Sequence, residues 1–280
     1  VLEPATLSAS PWNPAATWRC LQERSTDGTN RLDPALDRAF WARIAPGYHA
    51  ECLAARVPEV VARVLRWVEP GDTVLELGAG TGGFTLPIAH RAARITAVDY
   101  SAAMLAELRD NMRRAPRGNI AIVEADFEHI PLPPHDVVLA ANALYRVRDV
   151  APLAERLLAA ARKRLLVVWS VGRAQPWERA ARALIAPGRY RPGPDYVHLL
   201  NVLYDLGADA EVELLRISSW RQYPTEAEAA RALACWPDPT ADELQRCQAL
   251  LPRLFEPLPD GGYRVRMHDR VALIRCETTQ

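Results

Sequence analysis

Between residues 57 and 68 the apolar positions Val57, Val60, Val61, Val64, Leu65 and Val68 fall on one face of a 3.6-residue helix. Pro58 suits the first turn of that helix, and Glu69-Pro70-Gly71-Asp72 closes it. Thr73 to Leu77 then reads as a short buried strand, followed by the glycine run Gly78-Ala79-Gly80-Thr81-Gly82-Gly83 and a helix to about Arg91. The pattern repeats. A strand over 95–99 precedes a helix that Ser101 caps and that buries Met104, Leu105, Leu108 and Met112. Strands over 119–123 and 136–141, a helix over 149–161 and a strand over 163–170 complete the run. Strands alternating with helices at this spacing predict an α/β protein with a parallel sheet and right-handed crossovers.

Simple alternation stops there. Residues 211–220 and 265–276 read as two further strands, separated by two helices with capping boxes, Thr225 with Glu228 and Thr240 with Glu243. Between 171 and 209 lie a helix (176–186), a Pro/Gly-rich loop and a second helix (195–206). The segments 171–209 and 220–262 are therefore expected to be lid insertions over the carboxyl edge of the sheet, where open α/β sheets bind ligands. Residues 1–38 are rich in Pro, Ser, Thr and Asn with Trp12 and Trp18 as anchors, an extension ahead of a main domain over 39–280.

Charge narrows the partners. Lys+Arg and Asp+Glu are 34 each, so the chain is formally neutral, whereas binding that rests on neutralising phosphates needs a basic surface. No nucleic-acid partner is expected on that ground. No apolar run approaches the roughly 18–20 residues of a membrane span, and the first residues lack the basic and apolar regions of an export signal. The five cysteines include no CxxC pair, which fits reduced thiols, a cytoplasmic location and no metal site. His90, His129, His135 and His268 show no ligand spacing and read as structural.

The candidate chemistry starts at the glycine run. A glycine-rich turn from strand to helix lets the backbone approach a ligand closely. Asp99 ends the next strand, 21 residues after Gly78, at the position where an acid receives ribose hydroxyls. Because Gly78, Gly80 and Gly83 satisfy G-x-G-x-x-G, a dinucleotide site is at this point an equal reading. Three features shift the balance. Glu76 is awkward beside a pyrophosphate but suits an ammonium group. Glu124-Ala125-Asp126-Phe127 offers a carboxylate and an aromatic that bracket a purine. The chain also ends in a strand pair rather than a second mononucleotide-binding half.

The segments FWARIAPGYH (40–49), VLELGAGTGGFTLPIA (74–89), ITAVDYSAAMLAEL (95–108), IVEADFEHIPL (122–132) and HDVVLAANALYRVRDV (135–150) together resemble the class I S-adenosylmethionine-dependent methyltransferases. The likeness is strongest to the small-molecule type similar to ubiquinone/menaquinone-biosynthesis enzymes and covers about residues 39–170. It implies a seven-stranded Rossmann-like sheet, mostly parallel with the last strand antiparallel, and S-adenosyl-L-methionine as cofactor, released as S-adenosyl-L-homocysteine. Gly78 and Gly80 would hold the aminocarboxypropyl end, with Glu76 steering its ammonium, and Asp99 would accept the ribose hydroxyls. Tyr100 and Met104 would pack on the adenine, Asp126 would accept from its exocyclic amine, and Phe127 would add edge contact. Asn142 would lie near the methyl, and Tyr48 matches a tyrosine that folds over the cofactor.

An in-line attack on a sulfonium methyl asks mainly for proximity and a dry, aromatic-lined pocket. A general base is needed only if the acceptor must lose a proton. His49 and Tyr145 are the candidates for such a role, and Tyr145, Trp177, Tyr190, Tyr196 and His198 for contact with the acceptor. The loop AANALY lacks the (D/N/S)-P-P-(Y/F) element of amino-methylating nucleic-acid enzymes, and with the neutral charge this points to a small-molecule acceptor. The alternatives are a protein or RNA acceptor docked on residues 1–38 or on Arg182, Arg189 and Arg191, a nicotinamide-dependent oxidoreductase, and a scaffold that keeps the pocket without catalysis.

Overall fold

The structure is a computed structural model that describes residues 12–26, 32–49, 57–171, 175–185, 188, 191–234 and 239–278. Ahead of the sheet come α1 (Pro14–Arg24), α2 (Pro34–Tyr48) and α3 (Val57–Val64). The alternating part holds β1 (Thr73–Leu77), α4 (Thr85–Ala89), β2 (Arg94–Asp99), α5 (Ala102–Arg114), β3 (Ile120–Glu124), β4 (His135–Ala141), α6 (Val150–Ala160) and β5 (Ala161–Val171). Then follow α7 (Pro176–Ile185), α8 (Tyr196–Asp205), β6 (Ala210–Tyr223), α9 (Glu226–Ala234), α10 (Ala241–Leu254), β7 (Glu256–Pro257) and β8 (Tyr263–Glu277).

The strands order as β3-β2-β1-β4-β5-β8-β6, with two-residue β7 added beside β8. Pairings among β1 to β5 are parallel, and β8 is antiparallel to both β5 and β6. This is the expected Rossmann-like sheet, one short strand larger than the sequence implied. The order reverses direction at β1, which opens a crevice beyond the carboxyl ends of β1 and β4.

Alternation along the strands fills two cores. Leu75, Leu77, Val138, Leu165, Trp169 and Ile274 point to one face, under α1, α6 and α8. Val74, Ile95, Val137, Leu139, Val168 and Leu273 point to the other, under α3, α4 and α5. A third core lies where β6 and β8 run on past the end of β5. There Trp177, Ala181, Leu233, Cys247, Leu251, Phe255, Val265 and Met267 bring α7, α9 and α10 together.

Three boundaries differ from the sequence reading. The division at residue 38 falls inside α2, because the Asp33 carboxylate caps that helix by accepting from the backbone of Ala35 and Leu36. In segment 171–209, expected from the sequence to be a lid insertion, α8 packs Leu199, Val202 and Leu203 into the body of the protein. The helix after the glycine run is a bare five residues, Thr85–Ala89, too short to present a helix N-terminus as an anion site. The helices with the predicted capping boxes form as α9 and α10, with both reciprocal bonds present at Thr225 and Glu228 and at Thr240 and Glu243. No helix among the described residues is long and apolar enough to cross a membrane.

Candidate active site

The glycine loop departs from β1 through left-handed backbone at Gly78 (φ 73°), Gly80 (φ 54°) and Gly82 (φ 92°). Only glycine adopts such angles at little cost. Space is a second constraint at Gly78, where an added Cβ would stand 2.7 Å from the Ala143 Cβ. The loop is tied to its neighbours. Gly78 and Ala79 donate to the Val98 carbonyl at 2.8 and 3.1 Å, and Asn111 Nδ2 donates to the Thr81 carbonyl at 3.0 Å. Asp99 holds the loop from the end of β2: Oδ2 accepts from Gly80 N and Oδ1 from Ser101 N, both at 2.8 Å.

At the end of β4, Asn142 is the one described non-glycine residue with positive φ, at 51°. Its N–H donates to the Val168 carbonyl and its Oδ1 accepts from Ser170 N, each at 2.8 Å, so it bridges the ends of β4 and β5. A strained backbone held by two bonds is characteristic of a site where a side chain must be aimed. Tyr48 is aimed by a different device. Pro46 (ψ 122°) and Gly47 (φ 83°) break α2, turning Tyr48 back so that its ring meets Trp41 edge-on at 5.8 Å.

These elements enclose a cavity of about 150 Å³. It is lined by Gly78, Gly80, Asp99, Tyr100, Met104, Phe127, Asn142, Tyr48, Tyr145, Arg146 and Trp41, among others. The fold thus gathers eight of the ten cofactor positions named from the sequence, together with Tyr145. Glu76 and Asp126 stand behind the lining. Glu76 is buried beneath the loop and accepts from Thr85 Oγ1 at 2.6 Å. Burial pushes its carboxyl up to about 8, with the nearby Asp99 charge adding to the rise. Burial also raises Asp99, against the N–H groups of Ser101 and Gly80 that favour its charged form.

Sequence reasoning missed Arg146. Its guanidinium lies 4.3 Å from the centroid of the Tyr100 ring and 5.1 Å from that of Phe127. It pairs with Asp126 at 2.6 Å and Glu128 at 3.2 Å, with 8% of the side chain exposed. Burial pushes Asp126 up, but the hydrogen bond and charge of Arg146 outweigh it and hold the carboxyl below its usual range. Glu128, also paired with Arg146, is raised by burial. Tyr100 is raised by burial and by the Asp37 carboxylate that accepts from its hydroxyl. The one available signal was an arginine at a position the fold buries, within Leu144-Tyr145-Arg146. Trp41 and Asp37 of α2 were likewise not singled out.

The remaining candidates lie elsewhere. His49 sits at the rim, its Nδ1 3.3 Å from Thr81 Oγ1, and lines a separate apolar cleft with Pro58, Val61, Leu86 and His90. Trp177 is a core residue of the third cluster, edge-on to Phe255 at 5.0 Å. His198 belongs to the capping box of α8, its Nδ1 accepting from Asp195 N at 3.0 Å. Neither lines the cavity: Trp177 because its apolar ring is needed to cover β8, His198 because the helix terminus consumes it. Tyr196 packs against the body core. Tyr190 and Arg189 fall outside the described residues, as does the side chain of Arg182.

The strand order, the glycine loop after β1 and the acid ending β2 are those of a Rossmann-like α/β domain. Residues 74–166 match the family described as methyltransferase domain. The chain is 30% identical over 155 residues to an uncharacterised protein of Haemophilus influenzae, covering 54% of this chain and 56% of that one. It is 38% identical over 72 residues to the 23S rRNA (uracil(1939)-C(5))-methyltransferase RlmD of Pectobacterium carotovorum, covering 25% of this chain and 16% of that one. The chain thus spans about half or less of the curated relatives it matches. The solved YcgJ protein of Bacillus subtilis superposes with a TM-score of 0.56 at 13% identity, over 79% of this chain and 99% of that one, a likeness of fold.

Proposed function

We propose that this chain transfers a methyl group from S-adenosylmethionine to a small-molecule acceptor at the mouth of the cavity. The observation that carries the reading is the cavity on which the left-handed glycine loop, Asp99, Tyr100 and Asn142 converge, with the buried Glu76 carboxyl, raised to about 8 by burial, directly behind it. A neighbouring ammonium would restore its charge. The residues fit the cofactor. Gly78 and Gly80 would lie along its aminocarboxypropyl end, Asp99 would accept from its ribose, and Tyr100, Met104 and Phe127 would flank its adenine. When bound, the cofactor supplies an electrophilic methyl on a sulfonium.

The residues of the chain do the rest. Asn142 fixes the ends of β4 and β5 at the reacting edge, and Trp41, Tyr48 and Tyr145 form an aromatic wall that excludes water and tolerates the sulfonium. Trp41 and Tyr145 have ring centroids 6.2 Å apart. Tyr145 is the side chain best placed to meet the acceptor, and His49, beyond the rim, is the more distant candidate for a proton acceptor.

A nucleic-acid acceptor is the second reading. It draws on the similarity to RlmD and on the arginines of the sheet: Arg216 and Arg270 stand directly opposite each other across β6 and β8, with Arg266 two pairs further along the same face. Like charges so placed repel, and a polyanion would relieve them. The neutral total of the chain does not bear on charge segregated in this way.

Calorimetric titration tests the cofactor reading. Wild-type protein should bind S-adenosylhomocysteine at micromolar concentrations and Asp99→Ala should lose at least tenfold, with no heat from a nicotinamide dinucleotide. Binding of the dinucleotide alone would refute it. Transfer of label from methyl-labelled cofactor to small-molecule extracts but not to total RNA separates the two acceptor readings.

A further inference from the structure

A cavity of about 150 Å³ is too small for the ligand proposed for it, since pockets that bury a drug-sized molecule begin at roughly 300 Å³. Something now inside the site has to leave. The group in the way is identifiable from what surrounds it. Tyr100 and Phe127, the rings proposed to flank the adenine, both lie within cation–π reach of one guanidinium, that of Arg146. Asp126, proposed to accept from the adenine amine, already accepts from Arg146 at 2.6 Å. A guanidinium is flat, stacks on aromatic faces and donates from its edge, so it satisfies the same three partners as the purine.

We infer that Arg146 occupies the adenine slot of the free protein and is displaced from it by the cofactor, which makes it the residue that sets affinity at the adenine end. This rests on the cofactor reading above. The movement belongs to the side chain rather than the loop, because the backbone on either side is anchored. Gln22 Nε2 donates to the Tyr145 carbonyl, and Trp18 Nε1 donates to the Val147 carbonyl at 2.9 Å. A turn bond from Val147 N to the Leu144 carbonyl at 3.1 Å closes the segment. Displacement has a cost: it breaks two ion pairs and uncovers two rings, and the adenine regains the rings and one of the carboxylates.

Competition for one slot has a signature that a supporting role does not. A residue that merely braces the site weakens binding when it is removed. Removing a competitor strengthens binding, and only for ligands that carry the competing group.

The experiment is calorimetric titration of wild-type, Arg146→Met and Arg146→Lys protein with S-adenosylhomocysteine, adenosine and methionine. Thermal melts monitored by circular dichroism establish that each variant is folded. Arg146→Met should bind S-adenosylhomocysteine and adenosine about tenfold more tightly than wild type, by the same factor for both, and methionine with unchanged affinity. Arg146→Lys keeps the pairing with Asp126 but cannot lie flat between the rings, and should fall between the two. Equal or weaker binding of adenosine by both folded variants would overturn the inference while leaving the cofactor reading in place. No binding of S-adenosylhomocysteine by any of the three proteins would overturn both.

Discussion

The residue with the sharpest consequence is Glu76. A carboxyl raised to about 8 is protonated in the free protein at pH 6.5, and an ammonium placed beside it would favour the carboxylate. Cofactor binding should therefore release close to one proton at pH 6.5. Titrations in buffers of different ionisation enthalpy measure that number, and Glu76→Gln should abolish the release and weaken binding at least tenfold. The same shift affects stability. A group whose folded pKa lies above its unfolded value of 4.5 contributes fully below pH 4.5, and that contribution is lost as pH rises through 8. Glu76→Gln should thus gain stability relative to wild type between pH 5 and pH 8, seen as a melting-temperature difference that grows with pH. An unchanged difference would place the titration elsewhere. Glu76 was legible in the sequence because it stands alone in an apolar strand two positions before a glycine. Arg146 was not: its partners Tyr100, Phe127 and Asp126 come from other segments, and no local periodicity reports a contact made across three strands.

At the scale of elements, α1 decides how the loop after β4 is held. The sequence marked residues 1–38 as an extension with anchoring tryptophans, and the fold shows what Trp18 does there. It is fully buried, meets Trp169 edge-on at 5.8 Å and donates to the Val147 carbonyl. Arg19 pairs with Asp149 and Glu23 with Arg148, but these exposed pairs add little. Trp18→Ala should lower stability by about 3–5 kcal/mol, the usual cost of truncating a buried tryptophan. Trp18→Phe keeps most of the packing and leaves the Val147 carbonyl without its donor, at a cost of about 1–3 kcal/mol. Urea unfolding gives both values. Because the freed carbonyl adjoins Arg146, Trp18→Phe should also change the affinity for S-adenosylhomocysteine, whereas a purely remote anchor would leave it unaltered. The break in α2 was partly legible too, since Pro46-Gly47 is a strong turn signal; where it would send Tyr48 was not.

For the molecule as a whole, the division of labour follows from which strands outrun their neighbours. β5 ends at Val171 opposite Arg270, and β6 and β8 continue as a pair through Tyr223 and Tyr263. Their exposed length is what α7, α9 and α10 cover. The sequence showed two insertions but not that they share a core, because Trp177, Leu233 and Leu251 lie far apart along the chain and each looks like an ordinary helix residue. Among the described residues that core shares none with the glycine loop or the lining of the cavity, so its cooperativity is expected to be separable from that of the sheet, as contiguous units of a protein often are. Leu251 is fully buried within it. Leu251→Ala should cost about 2–5 kcal/mol, and hydrogen exchange is the measurement that locates the loss. Fast exchange should appear in α9, α10 and the outer halves of β6 and β8. The amides of β1, β2 and β4 should keep their protection, and S-adenosylhomocysteine should bind with unchanged affinity. If protection fell equally across β1 and β2, the third core and the sheet would form one cooperative unit.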